Sequence, residues 1–261
     1  MTASAAIELV KDLLGRMKAD RVPMLSAAVA FWGMLAFVPG LVALVSLYGL
    51  VADPTEVERQ VRQTTDALPE EAQALIVSQL RTIVGSPSSS LGAGLVIGVL
   101  IALVSASTGV RTLTEAVSAV YGDPPRSEGF VAERGKALGL TLGAVAFLAL
   151  AVFVIAAAPD LAIVQLLRWP AVGAGLVLAV GVLFRVGPSR RPEKRLVSPG
   201  AVTAAVLLVV VSVAFSTYTS SFGRYNETYG SLGAVVVLLL WLQLAGLTIL
   251  VGAEVNQVRR R

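Results

Sequence analysis

The stretch that decides the fold is "MLSAAVAFWGMLAFVPGLVALVSLYGLVA", residues 24–52, in which 29 consecutive positions carry no charge. Thirteen of these residues are Leu, Val or Phe. At roughly −0.4 kcal/mol each, they alone favour insertion into a bilayer by about 5 kcal/mol. An uncharged apolar run of this length predicts a transmembrane helix. The run is too long for a signal peptide and 23 residues precede it, so we expect a retained membrane anchor.

Five further apolar runs follow the first, and the chain as a whole is 56% hydrophobic and only 15% charged. A backbone inside a bilayer must satisfy its hydrogen bonds internally, and these runs are too long and too uniform for barrel strands. We therefore predict an all-α polytopic membrane protein with a bundle of six transmembrane helices. The later five runs are residues 91–110, 137–158, 170–184 (with 163–167 as an extension), 199–217 and 232–253.

The Lys and Arg residues orient the predicted bundle. Sixteen of them flank one side of the spans and five flank the other. Because cytoplasmic loops of membrane proteins are enriched in Lys and Arg, both termini are expected in the cytoplasm. Residues 1–22 are predicted as a cytoplasmic amphipathic helix lying on the membrane surface. Residues 23–261 form the six-span domain, whose loop 53–87 is expected to place two short helices as an external cap.

The composition also excludes several kinds of chemistry. The chain has no Cys and no His, which excludes disulfides, Cys/His zinc sites and His-based acid–base catalysis. We expect no cofactor and no bound metal. The net charge of +4 comes from basic residues that flank membrane helices, so nucleic acid is not an expected partner. The expected partners are the lipid bilayer and an anionic lipid or small-molecule substrate; a homo-oligomer is left open.

The polar stretch "SSFGRYNETYGSLGA", residues 220–234, stands between the last two apolar runs. One interpretation is an external turn with interfacial tyrosines, closed by a glycine. The other is a vestibule in which an arginine and the N-terminus of the next helix favour an anionic group. Both interpretations stay open. The candidate substrate-pathway residues in this stretch and directly before it are Tyr218, Arg224, Tyr225, Asn226, Glu227, Tyr229 and Gly230.

Four more candidates lie on the apolar runs or directly after them. Pro39 removes a backbone hydrogen bond and should kink the first span. Gln243 is expected to hydrogen-bond between helices. Glu254 is an ionisable residue at the cytoplasmic end of an apolar helix, which makes it a functional candidate. Arg111 is four residues before Glu115 and can pair with it, or alternatively with Glu254 across helices. Glycines at small-xxx-small spacing, such as Gly139 and Gly143, predict close helix packing.

Two stretches carry a family resemblance: "LSAAVAFWGMLAFVPGLVAL", residues 25–44, and "YGSLGAVVVLLLWLQLAGLTILVGAEVN", residues 229–256. Together they resemble the YihY/BrkB family of bacterial inner-membrane proteins, over about residues 20–257. Gln243 departs from the aromatic residue more common in that family. The resemblance implies six spans, the inner membrane, and a virulence-associated or transport role. It also brings an older ribonuclease BN label, which this sequence, without a metal-ligand cluster, does not support.

Three functions follow in order of preference. The first is a transporter or flippase-like protein for a small solute or lipid. The alternative is a non-transporting envelope scaffold or virulence-associated factor. A membrane enzyme or ribonuclease is least favoured, because the carboxylates are scattered and no nucleophile accompanies them; we expect no enzymatic activity.

Overall fold

The computed structural model describes residues 3–51, 91–123, 130–156, 162–188, 193–220 and 231–259. The predicted external cap, residues 53–87, and residues 221–230 of the polar stretch lie outside these ranges. The domain limits, the cap and the turn therefore stay predictions.

Seven helices make up the described ranges, which contain no strand. Their all-helical character confirms the predicted all-α class, and the number of transmembrane helices stays a prediction. The described part of each of the six apolar runs falls within one of the last six helices, and the helix of the fourth run extends back through residues 163–167. The helices are α1 Ala3–Ala19, α2 Val22–Val51, α3 Leu91–Val120, α4 Phe130–Ala156, α5 Ala162–Val186, α6 Pro199–Ser220 and α7 Ser231–Val258.

Three segments of the described helices are long and apolar enough to cross a membrane. They are Leu100–Val120, Pro199–Thr219 and Val235–Val258, with mean hydropathies of 1.2, 2.2 and 2.4. The apolar parts Val22–Phe37 and Pro170–Val186 are shorter. Large apolar side chains cover the outside of the bundle; Val213 of α6, for example, is 63% exposed. Such a surface is suited to lipid rather than to water.

The core forms where α2 packs against α3 and α7, and where α6 packs against α7. Glycine allows a close approach of α2 and α3: a Cβ on Gly109 of α3 would lie 2.9 Å from the Cβ of Ala36 on α2. The predicted close packing at Gly139 and Gly143 is not found, because a Cβ at either would meet no described atom within 4 Å. α2 continues as a helix on both sides of Pro39.

α1 packs against α7 and α2. It lies at the end of the bundle where α3, α5 and α7 end and where α2, α4 and α6 begin, which we call the basal end. Met17 packs on the main core, whereas Leu14, another large apolar residue of α1, is 59% exposed. α1 is therefore helical as predicted, but part of its apolar face covers the bundle and part does not.

Candidate functional site

Asn256, in the last turn of α7, is the centre of a buried hydrogen-bond network at the basal end. Its Oδ1 accepts the backbone N–H of Gly200 at 2.7 Å. Its Nδ2 donates to the Tyr121 hydroxyl and to Ser198 Oγ, both at 3.0 Å. One side chain thereby joins the ends of α3, α6 and α7. We call these four residues the basal polar cluster.

Local sequence explains why the partners of Asn256 are in place. Ser198 precedes Pro199, the first residue of α6, and its Oγ accepts the N–H of Ala201 at 3.1 Å. This is a serine N-cap followed by proline at the first helical position. Tyr121 follows the last residue of α3, where Gly122 at φ +72° turns the chain away. The N–H of Asp123 bonds the Ser118 carbonyl at 3.0 Å, which completes a glycine-terminated helix end.

Two glycines bring α6 and α7 close enough for this network. A Cβ on Gly200 would strike the Gly252 carbonyl and would lie 2.5 Å from Cγ of Asn256. A Cβ on Gly252 would lie 2.7 Å from Cβ of Ala204. The two backbones are thus in direct contact one turn from Asn256, and side chains at either position would separate them.

A second buried contact joins α3 to the end of α5. The Ser118 hydroxyl lies 3.0 Å from the Gly187 carbonyl and 2.9 Å from the Thr114 carbonyl of its own helix. The rings of Tyr121 and Phe184 are 6.2 Å apart between centroids and tilted by 47°. The basal ends of α3 and α5 are therefore joined by both polar and aromatic contacts.

Glu254 is the other polar residue of this part of α7, and it is fully buried. It precedes Asn256 by two residues, so the two side chains leave the helix about 200° apart and face different neighbours. Among the described residues, neither carboxylate oxygen of Glu254 has a hydrogen-bond donor. Three charged side chains interact electrostatically with the Glu254 carboxyl. Asp12 and Arg16 belong to α1, and Asp20 belongs to the turn after α1.

The Asp20 carboxyl lies within hydrogen-bonding reach of the Glu254 carboxyl. Two carboxylates cannot bond each other, because both only accept; such a pair bonds only when one carries a proton. Asp20 is half-buried. Asp20 lies in a tight turn between α1 and α2. The next residue, Arg21, has a left-handed φ of 52°, and the Arg21 carbonyl accepts the N–H of Met24 at 2.9 Å.

A separate charged cluster connects α3 and α4. Arg111 Nε lies 2.8 Å from Oε1 of Glu115, which confirms the predicted pair, and Arg111 Nη2 lies 3.3 Å from Oε2 of Glu133. Arg134 donates to the Val104 carbonyl at 3.1 Å. The alternative pairing of Arg111 with Glu254 is wrong, since the acidic partners of Arg111 are Glu115 and Glu133.

The other predicted candidates are not brought together with Glu254. Pro39 and Gln243 are half-buried within α2 and α7. Near Gln243, a hydrogen bond between α7 and α6 joins Trp241 Nε1 to Ser212 Oγ at 3.4 Å. Tyr218 is 52% exposed, and its ring stacks on that of Phe215. Outside the described residues lie Arg224, Tyr225, Asn226, Glu227, Tyr229 and Gly230.

Several residues of the site were not among the predicted candidates: Asp20, Tyr121, Ser198, Gly200, Gly252 and Asn256. Local signals existed for some of them. Asn256 is a polar residue in an apolar helix, and Ser198-Pro199 is a helix-start signal. No pattern in the sequence indicates that Asp20 meets Glu254.

The apolar helices and their lipid-suited surface define the class as a helical integral membrane protein. The sequence profile of the Virulence factor BrkB family matches residues 13–261, nearly the whole chain, so the chain belongs to this family. The family resemblance seen in the sequence is thereby confirmed.

Individual relatives agree with the family assignment. The chain is 26% identical to the ribonuclease-like protein YfkH of Bacillus subtilis over 96% of this chain and 94% of that protein. It is 35% identical to the UPF0761 membrane protein Smlt0865 of Stenotrophomonas maltophilia, over 30% of this chain and 19% of that protein. A UPF0761 membrane protein of Xanthomonas oryzae is 34% identical over 30% of this chain and 18% of its own length. No solved structure matches the chain.

Proposed function

We propose that this chain is a transporter or flippase-like protein that moves a small solute or lipid across the bacterial inner membrane. The observation that carries the proposal is Glu254, a fully buried carboxyl on an apolar helix without a fixed donor among the described residues. Such a group is expensive to retain in a membrane protein and is a functional candidate for that reason. A purely structural scaffold gains nothing from it, because leucine or glutamine would fill the same space at lower cost.

The proposed arrangement has six spans with both termini in the cytoplasm. The 16-to-5 distribution of basic residues supports this orientation. The basal end then faces the cytoplasm, and residues 221–230 face outward. Arg224, in that outward stretch, supports an anionic substrate group, because a positive charge beside a helix N-terminus favours an anion.

Complementation tests the function without knowledge of the substrate. A bacterial strain lacking the gene is complemented with the wild type, Glu254→Gln or the control Glu115→Gln, and its sensitivity to detergent and serum is measured. We expect Glu254→Gln to fail and Glu115→Gln to succeed, at equal amounts of folded protein. Full complementation by Glu254→Gln would favour the envelope-scaffold alternative, because a scaffold needs shape and not a titratable group.

A lipid probe tests one substrate class. Proteoliposomes containing a fluorescent phosphatidylglycerol are treated with dithionite, which bleaches only outer-leaflet probe. With a lipid substrate, wild-type protein increases the bleached fraction beyond the outer-leaflet value and Glu254→Gln does not. An unchanged bleached fraction with the wild type excludes this anionic lipid as the substrate.

We also propose that the chain is not an enzyme. The absence of His and Cys from the sequence supports this, because Cys/His zinc sites and His-based acid–base hydrolysis depend on such residues. The ribonuclease-like name is that of the Bacillus relative. Purified protein should not degrade RNA; RNA turnover that survives a second purification and disappears in Glu254→Gln would contradict the proposal.

A further inference from the structure

We propose that Glu254 and Asp20 form a proton-binding site in which the two carboxyl groups share one proton. The presence of this proton does not depend on the proposed transport function. Only its use, as the ion that couples transport to a gradient, rests on that function.

The first argument is the hydrogen-bond count around Glu254. Its carboxyl is fully buried, and neither oxygen meets a donor in the described ranges. A buried polar group without a partner is costly, and a buried charge without a partner is costlier. A proton between Glu254 and Asp20 turns two acceptors into a donor and an acceptor, which satisfies one oxygen of each group.

The second argument is the charge of the surroundings. The groups that act on Glu254 are the carboxylates of Asp20 and Asp12 and the guanidinium of Arg16. Arg16 Nε already lies 3.5 Å from Oδ2 of Asp12. With every carboxyl ionised, three negative charges would face one positive charge. Neighbouring like charges disfavour the ionised form of one carboxyl of a pair, so a bound proton relieves the excess.

The third argument is the placement of the two carboxyls. Glu254 is sealed inside the bundle, whereas Asp20 is half-buried in the turn between α1 and α2. Asp20 can therefore exchange a proton with water at the basal end and pass it to the interior. The described residues offer no group of three or more acidic side chains suited to a metal ion. A proton needs only the two carboxyls, whereas metal cations require several oxygen ligands.

Infrared spectroscopy of the purified protein in lipid nanodiscs at neutral pH tests the site. A protonated carboxyl has a C=O stretching band distinct from the bands of carboxylates and amides. We expect one such band in the wild type. Glu254→Gln and Asp20→Asn should each remove it, because the new amide N–H replaces the shared proton as donor. Glu115→Gln, which changes a carboxylate paired with Arg111, should leave it unchanged.

Each other result overturns the proposal. A wild type without the band contains no such proton. A band that survives Asp20→Asn but not Glu254→Gln belongs to Glu254 alone. A band that disappears when sodium chloride replaces choline chloride at constant pH would identify a cation site. If Glu254→Gln does not fold, Asp20→Asn decides, since Asp20 is only half-buried.

The two proposals fail in distinguishable ways. The band together with full complementation by Glu254→Gln would leave the proton site standing and contradict the transport function. Loss of complementation by Glu254→Gln in a protein that lacks the band would contradict the proton site and leave the transport function standing.

Discussion

Replacing Asn256 with alanine should be the most destabilising polar-to-alanine change at the basal end. The variant loses three buried hydrogen bonds, to Gly200, Tyr121 and Ser198. At about 0.6–1 kcal/mol each, these contribute about 2–3 kcal/mol. The Gly200 N–H is left without its partner in a buried position, which adds about 1 kcal/mol. We therefore expect a loss of about 3–4 kcal/mol in the free energy of unfolding.

The measurement is equilibrium unfolding in mixed micelles of dodecyl maltoside and SDS. Thr203→Ala is the matched control, because its hydroxyl bonds only the Pro199 carbonyl of its own helix, at 2.8 Å. We expect that control to change stability by less than about 0.5 kcal/mol.

A double-mutant cycle isolates one bond of the network. Tyr121→Phe removes the hydroxyl that accepts one Nδ2 hydrogen bond of Asn256. We expect a coupling energy of about 0.6–1 kcal/mol between Tyr121→Phe and Asn256→Ala. A loss below about 1 kcal/mol for Asn256→Ala, or zero coupling, would refute the idea that Asn256 joins the three helix ends.

Three further changes test other contacts. Gly252→Val should prevent folding, because its side chain would strike α6, whereas Gly139→Val should be tolerated, since a Cβ there meets no described atom within 4 Å; size-exclusion profiles of the two variants check this. Gly122→Ala should cost about 1 kcal/mol in unfolding free energy in the same micelles, because its φ of +72° disfavours a side chain. Arg111→Met should destabilise by about 1–3 kcal/mol, because it leaves Glu133, whose side chain is only 11% exposed, without its cation; restored stability in the double variant Arg111→Met, Glu133→Gln checks the cause.

The helices were predictable because bilayer insertion depends on local apolar composition. Their ends were less so. α3 continues to Val120, ten residues beyond the predicted run, through the helix-forming stretch "RTLTEAVSAV". α4 begins at Phe130 and includes charged residues predicted to lie before the span. Polar residues do not by themselves end a helix, so the length of an apolar run does not give the length of the helix that contains it.

The site was predictable only one residue at a time. Glu254 stands out because an ionisable side chain is rare in an apolar helix. The contact of Glu254 with Asp20 depends on a left-handed turn at Arg21. A left-handed backbone is usually indicated by glycine, and this position is not glycine. Asn256 meets Tyr121 across 135 positions and Ser198 across 58. Contacts at these separations are set by helix packing, which a single sequence does not specify.

The basal polar cluster has a consequence for the order in which the chain is built. α3 and α6 are synthesised before α7, so Tyr121, Ser198 and the N–H of Gly200 enter the bilayer before Asn256 exists. Until then the N–H of Gly200 depends on water or on the insertion machinery for a hydrogen bond. When α7 is added, the side chain of Asn256 bonds all three groups, and Gly252 of α7 packs against α6. Ribosome-bound chains arrested before Asn256 should therefore remain protease-sensitive at the basal end, and chains extended past it should become resistant.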